Sequence, residues 1–233
     1  MNWLGKKKAL TFSYDDGVTQ DIRLVELFNK YGMKCTFNIN SELLGKSGEL
    51  KIEGKPISHV KIAPSDVCSI YEGHEIAAHT LTHPLLVRVQ DDDEVVRQVE
   101  EDRKKLSEMF GYNVVGFAYP GGGVNFDSRL SKLIRERTGV KYARTTQTTK
   151  SFDLPDNLYE FKPTVHHTDF DELMRLGKEF LKLDTDSHAL FYIWGHSYEF
   201  DVHDSWERFE EFLKMMANRD DIFYATNKEA FGL

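Results

Sequence analysis

The 233-residue sequence contains only two cysteines, Cys35 and Cys68, and no motif pairs them. A disulfide framework needs an even set of cysteines at regular spacings, so the class of small disulfide-stabilised domains is excluded. Both thiols are expected to be buried and to pack as small hydrophobic groups. Stability must then come from an apolar core, for which a hydrophobic content of 40% is ordinary.

The sequence also lacks long apolar runs and an excess of positive charge. No stretch approaches the roughly 18 apolar residues that a membrane-spanning helix needs. The N-terminal sequence MNWLGKKKAL has no apolar stretch of signal-peptide length. The net charge is −8, whereas an electrostatic nucleic-acid-binding protein carries a basic face. We therefore expect a cytoplasmic protein, or a fragment lacking its targeting segment, with neither nucleic acid nor membrane as a partner.

Short β-branched or aromatic runs alternate with longer segments of helical period along the chain. This alternation predicts a parallel sheet with helices outside it. Seven or eight strand-like runs, with no second block of different composition, favour one α/β domain over residues 1–233. A closed or nearly closed β/α barrel is the predicted architecture, and an open doubly wound sheet is the alternative. Residues 41–73 and 145–168 show neither pattern and are expected to be irregular. In a barrel, functional residues lie at the carboxyl ends of the strands.

Two neighbouring strand ends carry acidic residues and histidines. Asp15 and Asp16 follow the strand-like run TFSY and precede Gly17. Because adjacent carboxylates repel each other, the pair indicates either a solvated turn or a site where two anionic groups have different tasks. His79 and His83 follow a later strand within HTLTHP. Two imidazoles and one carboxylate form a common ligand set for a divalent transition metal, with positions left open for water and substrate.

Three further strand ends carry candidate functional groups. The glycines after Pro120 in FAYPGGG allow the backbone to approach a ligand closely. Arg144 lies in ARTT at the end of the run VKYARTT, and His196 ends the run FYIWGH. In a barrel all these groups would meet at one face, and chance is a poor explanation for such a set.

The segments TFSYDDG, HTLTHP, FAYPGG and WGH, in that order, resemble the polysaccharide deacetylases of carbohydrate esterase family four. The resemblance runs from about Ala9 to His196. It implies a distorted β/α barrel with about seven parallel strands. It also implies removal of acetyl groups from N-acetylated sugars with the help of one divalent metal ion, for which zinc is the expected identity.

The resemblance assigns roles to individual residues. It implies that Asp16, His79 and His83 bind the metal, that Asp15 is the general base, and that His196 protonates the departing amine. A metal would hold Asp16 ionised and leave Asp15 free to accept a proton. The backbone N–H of the residue after the motif proline, here Gly121, is implied as the donor to the oxyanion.

The sequence departs from the family pattern at several positions. Ala118 stands where the family often has an arginine that pairs with the base, and we expect Arg144 to supply that charge from the next strand. Gly121 replaces an aromatic residue that lines the sugar groove, and Trp194 enlarges the side chain expected beside the acetyl methyl group. The acidic partner of His196 has no secure match. The candidates are Asp153, Asp156, Glu199, His166 and His167.

The sequence thus predicts a metal-dependent hydrolase that removes N-linked acetyl groups from an N-acetylated sugar or oligosaccharide. One alternative is the same chemistry on a cyclic amide or ureide, so the expected partner is a carbohydrate or small amide substrate. A second alternative is a carbohydrate-binding relative without catalysis. It is disfavoured because a binding module has no need of Asp15, Asp16, His79, His83 and His196 together.

Overall fold

The strand β1 (Lys8–Asp15) lies inside the structure, with all eight of its residues buried. A parallel strand covered on both faces reads as a nearly continuous apolar run, as KALTFSY does here. The computed structural model describes residues 2–233. Within this range the chain forms one α/β domain around a sheet that contains β1.

The main strands are all parallel and are connected by helices. The strands are β1, β2 (Cys35–Ile39), β5 (Glu75–Ala78), β6 (Gly116–Ala118), β7 (Tyr142–Arg144), β8 (Val165–His166), β9 (Ala189–His196) and β10 (Ile222–Tyr224), and an antiparallel hairpin is formed by β3 (Glu49–Ile52) and β4 (Lys55–Ser58). The helices are α1 (Asp21–Lys30), α2 (Val67–Ile70), α3 (Asp92–Phe110), α4 (Ser128–Arg137), α5 (Phe170–Lys182), α6 (Glu199–His203), α7 (Trp206–Met216) and α8 (Asn227–Phe231), and Leu86–Arg88 and Leu158–Glu160 form 3₁₀ turns.

Seven parallel strands lie in the order β7-β6-β5-β2-β1-β9-β8, and β10 pairs with the first residues of β1. The sheet curls so that one short segment links its two ends. The backbone of Phe161 bonds to β7 at Ala143, while Val165 and His166 pair with β9. The predicted distorted β/α barrel with about seven parallel strands is confirmed.

The two faces of β1 have different surroundings because its side chains alternate. Leu10, Phe12 and Tyr14 join the large apolar core that also contains helix residues. The opposite face is polar: Thr11 donates to Asn227 (2.9 Å), and Ser13 accepts from Asn38 Nδ2 (2.8 Å). The period of two therefore directs Asp15, at the end of β1, to the polar interior of the barrel.

The local sequence of the long helix α3 determines where the helix begins and ends and which face packs on the sheet. The Asp91 side chain accepts hydrogen bonds from the backbone N–H groups of Asp93 and Glu94, so it caps the N-terminus. Gly111 ends the helix in the left-handed conformation that glycine adopts easily (φ 71°). Between them Val95, Val99 and other buried residues form an apolar face, which is typical of a helix packed on a sheet.

Some sequence-based expectations were wrong. Cys35 is buried as expected, but Cys68 is exposed, because the single turn of α2 turns Val67 to the core and leaves Cys68 outside. Segment 41–73 contains the hairpin β3–β4, whose residues are mostly exposed and so lack the apolar alternation of a core strand. The two-residue strand β8 lies in the other segment that was expected to be irregular.

No helix within residues 2–233 combines the length and the apolar character needed to cross a membrane.

Candidate active site

The carboxyl ends of neighbouring strands bring the predicted residues together. Asp15 and His196, the last residues of β1 and β9, are direct partners in the parallel register. His79 follows the last residue of β5, and Arg144 ends β7. The edge of the sheet where a barrel carries its functional residues thus holds all four side chains.

Asp15 is buried and forms an ion pair with Arg144. Its Oδ1 accepts from the guanidinium Nη2 (2.6 Å) and from Asn38 Nδ2 (2.8 Å), and Oδ2 also contacts Nη2. Burial opposes the ionised form and is the largest single effect, yet the pKa of Asp15 is lowered overall, and the positive charge of Arg144 makes the largest contribution in that direction. The expectation that Arg144 lies within hydrogen-bond reach of Asp15 is confirmed.

Asp16 points away from Asp15 because its backbone adopts a positive φ of 84°, which is strained for a residue other than glycine. Its Oδ2 lies 3.1 Å from His59 Nε2, and its Oδ1 lies 3.3 Å from Lys61 Nζ. Burial disfavours the charged form, yet the hydrogen bond from His59 and the charge of Lys61 hold the pKa of Asp16 well below its usual range. Each of the adjacent carboxylates therefore has its own partners.

Lys61 reaches Asp16 because the loop after the hairpin is fixed against the turn that follows β1. The backbone of Lys61 pairs with that of Val18, and the Ile62 N–H donates to the Gly17 carbonyl (2.9 Å). Lys61 and His59 were not predicted, since neither lies in a motif or follows a strand that the sequence pattern indicates.

His79 and His83 present ring nitrogens to Asp16. The Nδ1–H of His79 donates to the Ala118 carbonyl (2.8 Å), which leaves Nε2 as the unprotonated nitrogen. His79 Nε2 is buried and has no hydrogen-bond partner in residues 2–233. His83 Nε2 lies 3.6 Å from Asp16 Oδ1, and one ligand atom from each of Asp16, His79 and His83 lies within 4.8 Å of the others.

The protonation states of this trio suit a divalent cation. Burial lowers the pKa of His79 to about 4 and also lowers that of His83, so both rings are neutral at pH 7. Metal ligands must be deprotonated imidazoles and ionised carboxylates. The unpartnered Nε2 of His79 is the nitrogen that a metal would occupy, and its Nδ1–H bond to a carbonyl is the usual way of orienting a ligating histidine.

Behind the trio, a buried acid fixes the loop that carries His79. Asp102 on α3 accepts hydrogen bonds from the backbone N–H groups of His79 (2.9 Å) and Ser41 (2.8 Å). Burial raises the pKa of Asp102 to about 7. The sequence held a signal for this residue, because Asp102 falls on the same helical face as Val95, Val99 and Leu106.

His196 is held by Glu199, which settles the partner left open by the sequence. Glu199 Oε2 lies 3.2 Å from His196 Nδ1 and also accepts from the His196 backbone N–H (2.9 Å). Burial alone would lower the pKa of His196, but the carboxylate of Glu199 raises it to about 9. The imidazole is therefore protonated at neutral pH.

Two further histidines face the same Glu199 oxygen. The Nε2 atoms of His167 and His166 lie 3.0 and 3.4 Å from it, and the Tyr14 hydroxyl contacts His167 Nδ1 (2.8 Å). Asp153 and Asp156 instead line a different cavity, so they are not the partners of His196.

A cavity of about 200 Å³ opens above these groups. Its walls include Asp15, Asp16, His83, Gly121, Gly122, Trp194, His196 and Tyr198.

Gly121 has a positive φ of 83°, and a Cβ there would meet Leu85 Cδ1 at 2.9 Å. The aromatic residue that the family resemblance leads one to expect at this position would therefore be strained. The Gly121 N–H has no acceptor within residues 2–233. The Trp194 ring lies 4.5 Å from the Arg144 guanidinium, which fixes one wall.

Two ionised carboxylates, two neutral imidazoles and one protonated imidazole at the end of a β/α barrel are typical of a hydrolase site. The profile of the polysaccharide deacetylase family matches residues 4–143, more than half of the chain. The chain therefore belongs to the polysaccharide deacetylase family. No curated protein sequence matches it.

Solved structures with the same fold are distant in sequence. The Xyl-CE4 domain of a multidomain xylanase from the hindgut metagenome of Trinervitermes trinervoides is 16% identical, with a TM-score of 0.60 over 97% of this chain and 90% of that one. A family 4 acetyl xylan esterase from Clostridium thermocellum, in complex with a cobalt ion, is 14% identical, with a TM-score of 0.56 over 97% and 91%. BA3943, a CE4 family pseudoenzyme from Bacillus anthracis, is 14% identical, with a TM-score of 0.52 over 96% and 65%. These likenesses show the fold alone.

The buried ion pair of Asp15 and Arg144 leads to a prediction about the stability of the fold. Replacing Arg144 by Met leaves Asp15 without its cation, so we expect the free energy of unfolding at pH 7 to fall by about 3–5 kcal/mol. The double variant Asp15→Asn/Arg144→Met should recover part of that loss, because no buried charge remains unpaired. Urea unfolding measures both effects.

The matched control is Arg137→Met, which removes the exposed ion pair with Asp93 (2.6 Å) and should cost less than about 1 kcal/mol. If Arg144→Met destabilised the protein no more than this control, the pair would not have the role described.

Proposed function

We propose that this protein is a metal-dependent hydrolase that removes N-linked acetyl groups from an N-acetylated sugar or oligosaccharide. Membership of the polysaccharide deacetylase family supports deacetylation of sugar-like substrates. The observation that carries the proposal is the position of Asp15. Its Oδ2 lies 4.0 Å from His79 Nε2 and 3.8 Å from His196 Nε2, between the candidate metal ligand and the candidate acid.

Asp16, His79 and His83 would hold the ion, for which zinc is the expected identity. When bound there, a divalent ion would lower the pKa of a water molecule and polarise the acetyl carbonyl. The chain prepares these ligands in advance, since the Ala118 carbonyl sets the tautomer of His79 and Lys61 fixes the carboxylate of Asp16.

The remaining steps belong to the side chains. Asp15, kept ionised by Arg144, accepts the proton of the attacking water as general base. His196, kept protonated by Glu199, donates its Nε2 proton to the leaving nitrogen, while its Nδ1 stays bound to the carboxylate. Gly121 lines the cavity, and its free N–H would donate to the developing oxyanion.

The test of this function is acetate release from N-acetylglucosamine oligomers. The protein would be stripped of metal with a chelator, reloaded with Zn²⁺ and compared with the stripped form. We expect acetate only from the reloaded protein. Hydrolysis of cyclic amides instead would favour the alternative substrate class, and oligomer binding without turnover of either class would favour a non-catalytic relative.

The metal ligands can be tested directly with His83→Ala. His83 is partly exposed, so its removal should leave the fold intact while lowering Zn²⁺ affinity and acetate release by at least about tenfold. His203→Ala, which alters an exposed histidine on α6, is the control and should bind one Zn²⁺ per chain. Equal Zn²⁺ affinity in the two variants would contradict the ligand assignment.

The pH profile reports on Glu199. The rate should fall on the alkaline limb as His196 loses its proton, near pH 9 in the unaltered protein. Because Glu199 raises that pKa, Glu199→Gln should lower it and move the alkaline limb of kcat to lower pH by about one unit or more. Glu211→Gln, an exposed change on α7, should leave the limb in place. An unshifted limb in Glu199→Gln would show that another group keeps His196 protonated.

A further inference from the structure

A second cavity of about 400 Å³ opens directly beside the active-site cavity and shares Asp16, His83 and Tyr198 with it. It lies under the hairpin β3–β4 and the loop before it, and we call it the hairpin groove. Apart from the candidate metal ligands Asp16 and His83 and the two residues that hold Asp16, the lining of the groove has no role in the deacetylation described above. Because the two cavities adjoin, a substrate whose acetyl group lies between Asp15 and His196 has room to extend into this space.

The charge of the hairpin groove is opposite to that of the whole chain. Asp16 is the only acidic residue in its lining, whereas Lys46 and Lys61 both line it. The chain as a whole has a net charge of −8. With a divalent ion on Asp16, the walls would carry a clear positive excess, and a cavity of one sign concentrates ligands of the other sign.

The two lysines differ in what they already bind. Lys61 is buried and donates to the Asp16 backbone carbonyl (2.6 Å), while its Nζ lies 3.3 Å from Oδ1 of the same residue. An ammonium has three N–H donors, so one remains for a ligand. Lys46 is exposed, and within residues 2–233 its Nζ forms no ion pair. The need to hold Asp16 accounts for Lys61 but not for Lys46.

The same groove has an apolar side. Leu43 and Leu50 line it and are each only partly buried. Apolar side chains beside cationic ones match a ligand that presents carbon and a negative charge together.

We propose that the hairpin groove binds a negatively charged substituent, a carboxylate or a phosphate, carried by the N-acetylated sugar that is deacetylated. Lys46 and the remaining N–H of Lys61 bind the anionic oxygens, and Leu43 and Leu50 contact the carbon atoms that carry them. This inference rests on the proposed function and narrows its substrate class to acidic N-acetylated sugars.

The test uses three methyl glycosides of N-acetylglucosamine: the neutral sugar, its 3-O-carboxyalkyl ether and its 6-phosphate. Acetate release by the Zn²⁺-loaded protein gives kcat/KM for each. We expect at least one anionic glycoside to exceed the neutral one by roughly fivefold, as one partly exposed ion pair allows, and the preference to shrink with added salt. Comparing kcat/KM for the carboxyalkyl ether with that for the phosphate shows which anion the groove prefers.

The variant Lys46→Met should reduce the ratio of anionic to neutral kcat/KM towards one. Its control is Lys55→Met, which removes the same charge from the exposed end of the hairpin outside the groove lining and should keep the ratio. A wild-type ratio of one, or a ratio unchanged by Lys46→Met, would overturn the proposal.

Calorimetric binding separates this inference from the proposed function. If the Zn²⁺-loaded protein released no acetate but bound an anionic glycoside at least about threefold more tightly than the neutral one in a Lys46-dependent way, deacetylation would fail and the anion site would stand. If acetate were released equally from all three glycosides and binding showed no preference, deacetylation would stand and the anion site would fail.

Discussion

Two carboxylates in adjacent residues must both remain ionised in a buried site. Most of the contacts around Asp15 and Asp16 serve to keep them ionised. Asp15 turns inward to Arg144, whereas Asp16 turns to Lys61 and His59 through a backbone with positive φ. Like charges a few ångströms apart would otherwise force one group to take up a proton. Supplying each with its own cation keeps both anionic and gives them different surroundings: Asp15 lies between the imidazoles of His79 and His196, and Asp16 lies beside His59 and Lys61.

The arginine shows how one charge can be supplied from a different strand. Ala118 and Arg144 are direct partners across β6 and β7, so the guanidinium reaches Asp15 from the neighbouring strand instead of from β6. The small side chain of Ala118 fits this arrangement, and its carbonyl still orients His79. What the site requires is a positive charge beside Asp15. In a parallel sheet, a side chain on either of two neighbouring strands can place a charge at the same point.

Strand periodicity was sufficient to predict the barrel and the meeting of Asp15, His79, Arg144 and His196, because parallel strands place their carboxyl ends at one edge. It was not sufficient for Lys61 and His59. They come from a loop whose position depends on backbone pairing with Val18, which leaves no periodic signal. Glu199 was one of five candidates, since its choice depends on the turn after β9 bringing Oε2 to His196 Nδ1. The exposure of Cys68 depends on the orientation of one helical turn, which a four-residue segment does not encode.

The pairing of β1 also bears on the order in which the chain can fold during synthesis. One edge of β1 is covered along its whole length by β9, from Lys8 opposite Ala189 to Asp15 opposite His196, whereas β2 and β10 share the other edge. The β9 residues are made about 180 residues after their β1 partners, so the first edge of β1 stays unpaired while the intervening chain emerges. Pairing between such distant segments is slow and leaves an exposed strand edge in the interval. The functional edge of the barrel, although it includes the end of the first strand of this domain, is completed only when β9 has been made.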